Sequence, residues 1–279
     1  MNIIYSVEEQ EKLCKRLINE NINISLIPTM GNLHLGHESL LKASFNDDYR
    51  VVSLFVNPLQ FNNHQDYLNY PNTIEGDLKI LKSYNIDCLF LPDKNDMVQQ
   101  TNHDANRKLP EFTNILCGKF RKSHFQGVYS IVKKLFSTIQ PKKAYFGKKD
   151  FQQLLLIKYL VAESFQNSID IVECETVREK NGLAMSSRNN NLSIKQNELA
   201  SLVYRELVLL RKSLKENISP FARLRDEIIR KLSKQDIKIE YLDILCRNNL
   251  NIPTEKDTDI NIFVAFYVGD VRLIDNIEI

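Results

Sequence analysis

The 279-residue chain has no tryptophan, and its five cysteines, Cys14, Cys88, Cys117, Cys174 and Cys246, stand far apart without a C-x-x-C pair. An odd number at that spacing argues against a zinc site or a disulfide framework, so free thiols in a reducing cytoplasm are expected. No run approaches the roughly 18 consecutive apolar residues of a membrane span. The opening MNIIYSVEEQEKL carries acids where a leader would need an apolar core, and neither export nor membrane insertion is expected. A strong excess of one charge is also missing. The 37 Lys+Arg against 35 Asp+Glu leave +2, which gives no global reason to expect nucleic acid or an acidic membrane as partner. Gly/Ser- or Pro-rich linkers, internal repeats and low-complexity tracts are absent as well. With 43% hydrophobic residues the chain is well supplied for a core, and its length suits one large domain or a large and a small one.

Short apolar runs rich in β-branched residues recur at Ile24–Ile27, Val51–Val56, Ile86–Leu91, Lys143–Phe146 and Ile169–Val172. Amphipathic stretches separate most of them, as in a buried parallel sheet. The clearest helix is predicted over Val128–Ile139, where Val128, Ile131, Val132, Leu135 and Phe136 share one helical face and Pro141 ends the run. Others are expected near Val7–Asn19, Thr73–Tyr84 and Phe151–Glu163. Such alternation is α/β and implies a doubly wound, Rossmann-like parallel sheet of about five strands. From Glu175 the character changes to a polar segment, helices at Ile194–Lys215 and Phe221–Ser233, and strands near Ile239–Leu245 and Ile262–Val268. We therefore expect a larger domain over residues 1–175 and a smaller α+β domain over 176–279.

Four segments carry chemistry. The first strand ends in PTMGNLHLGH, Pro28–His37, and passes straight into an apolar helix pattern, placing His34 and His37 at a helix N-terminus beyond a strand's carboxyl end. Free backbone N–H groups and the helix dipole favour phosphate there, and Gly31 and Gly36 allow close approach to the backbone. Two imidazoles can donate to the α-phosphate of ATP, although a capped helix start would also accommodate them. No Walker loop occurs. The second strand is followed by Asn57 and Gln60, amides suited to a small ligand with hydroxyl and carboxylate groups or to a turn around Pro58. AYFGKKDFQQL, Ala144–Leu154, repeats strand, glycine and helix. In it Lys148 can contact phosphate, Asp150 can contact a ribose hydroxyl or a metal-bound water or serve as the helix N-cap, and Gln153 can contact a second substrate. ETVREKNGLAMSSRN, Glu175–Asn189, reads as a mobile polar loop whose Ser186, Ser187 and Arg188 can close over a triphosphate. Ten basic residues against one acid lie between Gly118 and Lys158; they can attract a polyanion or be a solvated face.

These segments in this order, with HFQGVYSIVKKLF at His124–Phe136 and VGDVRLIDNI at Val268–Ile277, resemble the pantothenate synthetase (pantoate:β-alanine ligase) family of the nucleotidyltransferase group. The resemblance spans nearly the whole chain. It implies ATP held by Met30, Gly31, Asn32, Leu33, His34, Leu35, Gly36 and His37, by Gly147, Lys148, Lys149 and Asp150, by Val177, and by Met185, Ser186, Ser187 and Arg188. It further implies pantoate at Gln60 and Gln153, β-alanine near Gln60, and His37 as the catalytic histidine. From the residues' own chemistry, Asn57 is expected beside the pantoate glutamines, and His34, Lys148 and Arg188 are expected to assist catalysis, His34 at the α-phosphate and the two cations at departing pyrophosphate. A homodimer and Mg²⁺ with ATP are implied too. The family's Tyr-Pro-Arg-Thr and acid pair become YPNTIEGD, so Asn72 and Gly76 replace an arginine and an acid, and Asp77 alone keeps its place. The ion is then expected to rest mainly on phosphates and water, with Asp77 the one candidate protein ligand. The family's R-P-G-H-F becomes RKSHF, retaining Arg121 and His124, and little consequence is expected. The competing readings are a nucleotidyltransferase that adenylates another acid, and an RNA-binding module using the basic segment. The second lacks the aromatic platform that single strands require.

Overall fold

The computed structural model describes residues 1–61, 67–68, 70–71, 73–98, 107–215 and 217–279. Asn72 therefore lies outside the described residues. Six parallel strands form the main sheet: β1 (Asn2–Ile4), β2 (Ile24–Thr29), β3 (Tyr49–Leu54), β4 (Cys88–Phe90), β5 (Lys143–Gly147) and β6 (Asp170–Cys174), in the order β1-β4-β3-β2-β5-β6. The extra strand relative to the five expected is β1, three residues too short to show a periodicity of their own. From β2 the chain winds outward through β3 and β4, then returns to the other side of β2 for β5 and β6. The winding reverses between β2 and β5, and in such sheets ligands bind outside the carboxyl ends of the strands at that point.

The central strands are buried on both faces, with Leu26, Ile27, Val51, Val52, Leu89 and Ala144 fully enclosed, which is why they read as continuous apolar runs. Helix α1 (Val7–Asn19) starts where the Ser6 hydroxyl accepts the Glu9 N–H at 3.4 Å. Helix α2 (Leu35–Ala43) follows β2, and α3 (Ile74–Ser83) precedes β4. After the short helices α4 (Lys94–Val98) and α5 (Cys117–Phe120), α6 (His124–Ile139) begins four residues earlier than its apolar stripe predicts, burying Phe125 and Gly127 in its first turn. It ends at Gln140, with φ of 50°, one residue before the proline. Helix α7 (Phe151–Ser164) packs beside it.

The C-terminal part contains α8 (Ile194–Leu214), opened by a Ser193–Gln196 capping box, and α9 (Phe221–Ser233). These cover an antiparallel sheet of β7 (Ile237–Cys246), β8 (Ile260–Val268) and β9 (Val271–Glu278). Strand β9, in a stretch marked beforehand only by family resemblance, pairs with β8 from Asn261 to Val268. The two sheets do not stand apart: Leu245, Leu250 and Phe263 join the main core, and the Phe151 and Phe263 rings lie 5.7 Å apart. All five cysteines are buried and unpaired. No described helix is long and apolar enough to cross a membrane.

Candidate active site

A cavity of about 270 Å³ opens at the switch point, between the carboxyl ends of β2 and β5 on one side and β9 on the other. The turn between β2 and α2 forms its floor. Gly31, with φ of +83°, and Asn32, with φ of +51°, swing the chain so that the N–H groups of Asn32 and Leu33 meet Asp77 of α3 at 2.9 and 2.7 Å. A Cβ on Gly31 would stand 2.8 Å from Leu54 Cδ2 and 3.1 Å from Asp77 Oδ2, so this glycine serves the turn itself. Neither Gly31 nor Asn32, Leu33 or Leu35 lines the cavity, whereas Met30, His34, Gly36 and His37 do.

His34 caps α2. Its Nδ1 accepts the Gly36 N–H at 3.1 Å, while His37 Nδ1 accepts the His34 N–H at 3.3 Å. An Nδ1 that accepts leaves the proton of a neutral ring on Nε2, so both imidazoles are donors at their far edges. Burial, then the nearby Lys149, lowers the His34 pKa to about 4; burial, His34 and Lys149 lower that of His37 to about 3. The site thus holds two neutral rings at pH 7.

Across the floor, Asn57 directs Gln60. The Asn57 amide donates to Gln60 Oε1 at 3.2 Å and to the Gly127 carbonyl at 3.0 Å, and its oxygen accepts the Leu59 N–H at 3.0 Å. With those bonds made, Asn57, only 3% exposed, braces Gln60 and also lines the cavity. Gln60 Nε2 also lies 2.7 Å from Met30 Sδ. The Gln60 carbonyl accepts from Arg121 Nη2 at 3.0 Å and His124 Nδ1 at 2.9 Å, a use of the RKSHF segment not foreseen from its residue types. His124 is buried with Arg121 at its other nitrogen, and these two effects push its pKa down to about 3.

The turn after β5 corrects two further expectations. Lys149 lines the cavity and lies 3.9 Å from Asp150, whereas Lys148 does not line it and its ammonium pairs with Glu175. Asp150 stands at the N-cap of α7 and faces the cavity without making the side-chain cap bond. The two glutamines that follow divide their work. Gln152 is tied to the Cys117 N–H and the Phe112 and Ile115 carbonyls, while Gln153 faces the cavity. Of the ten basic residues in this region, Lys143 and Lys158 likewise sit in ion pairs, with Asp47 and Glu173, while Arg121 and Lys149 line the cavity.

The segment expected as a mobile loop is a hydrogen-bonded hairpin. Arg178 bridges Ala184, Met185 N–H donates to Val177 O at 2.9 Å, and Asn189 donates to the Ala184 carbonyl at 3.1 Å. Ser187 Oγ donates to the Asn32 carbonyl at 3.3 Å, tying this hairpin to the histidine turn. Val177, Met185, Ser186, Ser187 and Arg188 line the cavity from this side, joined by Tyr70, Tyr241, Asp275 and Asn276, which composition and spacing did not single out. No grouping of three or more His, Cys, Asp or Glu suited to a metal ion occurs among the described residues. Both Asp77 oxygens already accept backbone N–H groups. Asp77, which does not line the cavity and is engaged by those donors, does not fit as a Mg²⁺ ligand and is a brace of the histidine turn.

Comparison with known proteins gives similarity over the full length. A family model described as Pantoate-beta-alanine ligase matches residues 2–278. The pantothenate synthetases of Buchnera aphidicola subsp. Acyrthosiphon pisum (strain 5A) and Thermotoga petrophila are 40% and 38% identical, over 100% and 99% of this chain and 99% of each relative. The crystal structure of the Thermus thermophilus pantothenate synthetase superposes with a TM-score of 0.90 at 33% identity, covering 100% of this chain and 99% of that one. That of the Francisella tularensis pantoate-beta-alanine ligase, complexed with beta-gamma ATP and beta-alanine, gives 0.82 at 37% identity, with 100% and 97% covered. A parallel sheet with its cavity at the switch point, two keyed histidines on the cavity floor and similarity from end to end have one common source: the chain belongs to the pantoate-beta-alanine ligase family.

Proposed function

We propose that the protein condenses (R)-pantoate with β-alanine, using ATP, to give pantothenate, AMP and pyrophosphate through a pantoyl adenylate. The observation that carries the reading is the pair of Nε2–H donors of His34 and His37 at a helix N-terminus, facing the same cavity as Gln60 and Gln153, in a member of this ligase family. Pantoate's carboxylate, with an ordinary carboxylate pKa near ~4, is ionised at pH 7 and needs no base. Its oxygen attacks the α-phosphorus of ATP, forming the new P–O bond as the bond to pyrophosphate breaks. The imidazoles donate to the crowded α-phosphate, and Lys149 with Arg188 offsets charge on departing pyrophosphate.

Gln60 and Gln153 hold pantoate, Asn57 and the Arg121–His124 pair hold Gln60 in place, and β-alanine enters beside Gln60. Its neutral amine attacks the acyl carbon, forming C–N as C–O to AMP breaks, and the extra proton leaves to solvent. Lys148 serves the turn through Glu175 instead of touching phosphate. Mg²⁺ arrives on the phosphates of ATP, as part of the substrate. Residues 1–175 bind ATP and pantoate, and residues 176–279 close over them to exclude water from the mixed anhydride. The protein acts as a cytoplasmic homodimer on small molecules, without a nucleic-acid or membrane partner. Incubation with ATP, Mg²⁺, pantoate and β-alanine should give AMP, pyrophosphate and pantothenate in equal amounts. Formation of ADP, or AMP release unchanged when pantoate is omitted, would refute the assignment.

A further inference from the structure

Two neighbouring residues of β9 reach the two segments on either side of the nucleotide end of the cavity. Successive side chains of a strand point to opposite faces, and here each face meets a different segment. Asp275, 6% exposed, accepts Arg178 Nη1 at 2.6 Å and Nη2 at 3.0 Å. The same guanidinium donates to the Gly182 carbonyl at 3.2 Å and the Asn276 carbonyl at 3.4 Å, and lies 3.8 Å from the Tyr204 ring centroid. A bidentate pair sets angle as well as distance, so β9 fixes the hairpin at the residue next to Val177.

On the other side, Asn276 Nδ2 donates to the carbonyls of Lys148 and Lys149 at 3.0 and 2.9 Å. Asn261 donates to Asn276 Oδ1 at 3.1 Å, which determines the end of the amide that faces the turn. The turn so held is the one that presents Lys149 to the cavity. A buried ion pair adds little stability over apolar packing; its place on the cavity wall gives it a geometric use.

We propose that Asp275 and Asn276 are positioning residues of the nucleotide site, Asp275 through Arg178 for the 177–188 hairpin and Asn276 for the Lys149 turn. The inference rests on the proposed function for its ligand, ATP, and is independent of which acid is activated. The test measures MgATP binding to the whole protein by calorimetry without pantoate, then exchange kinetics with it. Asn276→Ala should weaken MgATP binding about tenfold and lower exchange turnover about tenfold, with the KM for pantoate within about twofold of wild type. Asn276→Ser, which keeps a single donor, should fall between, and carries the test if the alanine variant does not fold. Arg178→Lys, which keeps the charge and loses the fork, should weaken MgATP in the same direction. Variants that bind MgATP and turn over like wild type at 25 °C, with only a lower melting temperature, would overturn the proposal, as would a wild-type protein that binds no MgATP. A wild type that binds MgATP but gives no pantoate-dependent exchange would instead remove the pantoate reading, and MgATP affinity alone would then decide this one.

Discussion

The rings of His34 and His37 lie 4.1 Å apart between centroids, and each takes a backbone N–H of its own helix turn at Nδ1. The helix start thereby sets the tautomer of both. In the free protein, ¹⁵N NMR should show both imidazoles neutral and protonated on Nε2 at pH 6, since their pKa values are lowered to about 4 and about 3. A midpoint near 6.5 for either ring, or protonation on Nδ1, would contradict the arrangement.

Asp77 is expected to act on the turn, not on the metal. Asp77→Asn keeps one acceptor for the two N–H groups of Asn32 and Leu33, so exchange turnover should drop about tenfold. The Mg²⁺ concentration for half-maximal rate should stay where it is. A severalfold higher Mg²⁺ requirement would restore Asp77 as a metal ligand.

Gln152 and Gln153 are adjacent in sequence and differ in surroundings. Gln153→Ala should raise the KM for pantoate at least tenfold more than that for ATP and leave the melting temperature unchanged. Gln152→Ala should do the reverse, since it takes the side-chain partner from the buried Cys117 N–H and from the Phe112 carbonyl and leaves the Ile115 carbonyl only the Gly118 N–H. Equal effects of Gln153→Ala on both substrates would remove its pantoate role.

His124 stays neutral in the fold between its two hydrogen-bond partners, with a pKa of about 3 against an unfolded value near 6.5. Above that unfolded value its contribution to stability is complete, and it is lost as pH falls toward 3, where the unfolded chain binds the extra proton. Unfolding free energy of the wild type should therefore fall with acidification more steeply than that of His124→Asn, by about 1.4 kcal/mol per pH unit between pH 6 and 4. Parallel slopes in denaturant titrations would contradict this.

Much of the site was legible because its main signals are local. Apolar runs marked β2 to β6, and the histidine pair beside Gly36 marked the turn. The three residues of β1 are too few to carry a pattern, and β9, with Asp275 and Asn276 in its middle, does not read as an apolar strand. The braces were hidden for another reason: Asp77 meets backbone groups 44 and 45 residues away, and Arg178 meets Asp275 across 97. Lys148 and Lys149 are chemically alike, and only the turn and Glu175 separate the residue on the cavity wall from its neighbour. Lys149→Ala should accordingly weaken MgATP binding far more than Lys148→Ala, about tenfold against less than threefold, in the same calorimetric measurement.

The central claim is that a pantoate carboxylate is adenylated between the two histidines. The most direct measurement is pantoate-dependent exchange of labelled pyrophosphate into ATP, with Mg²⁺ present and β-alanine absent, in wild type and His37→Ala. The account predicts exchange in the wild type, lost about 10²- to 10³-fold in a folded His37→Ala protein, and AMP release once β-alanine is added. Undiminished exchange in His37→Ala, or wild-type exchange with some other acid in place of pantoate, would contradict it.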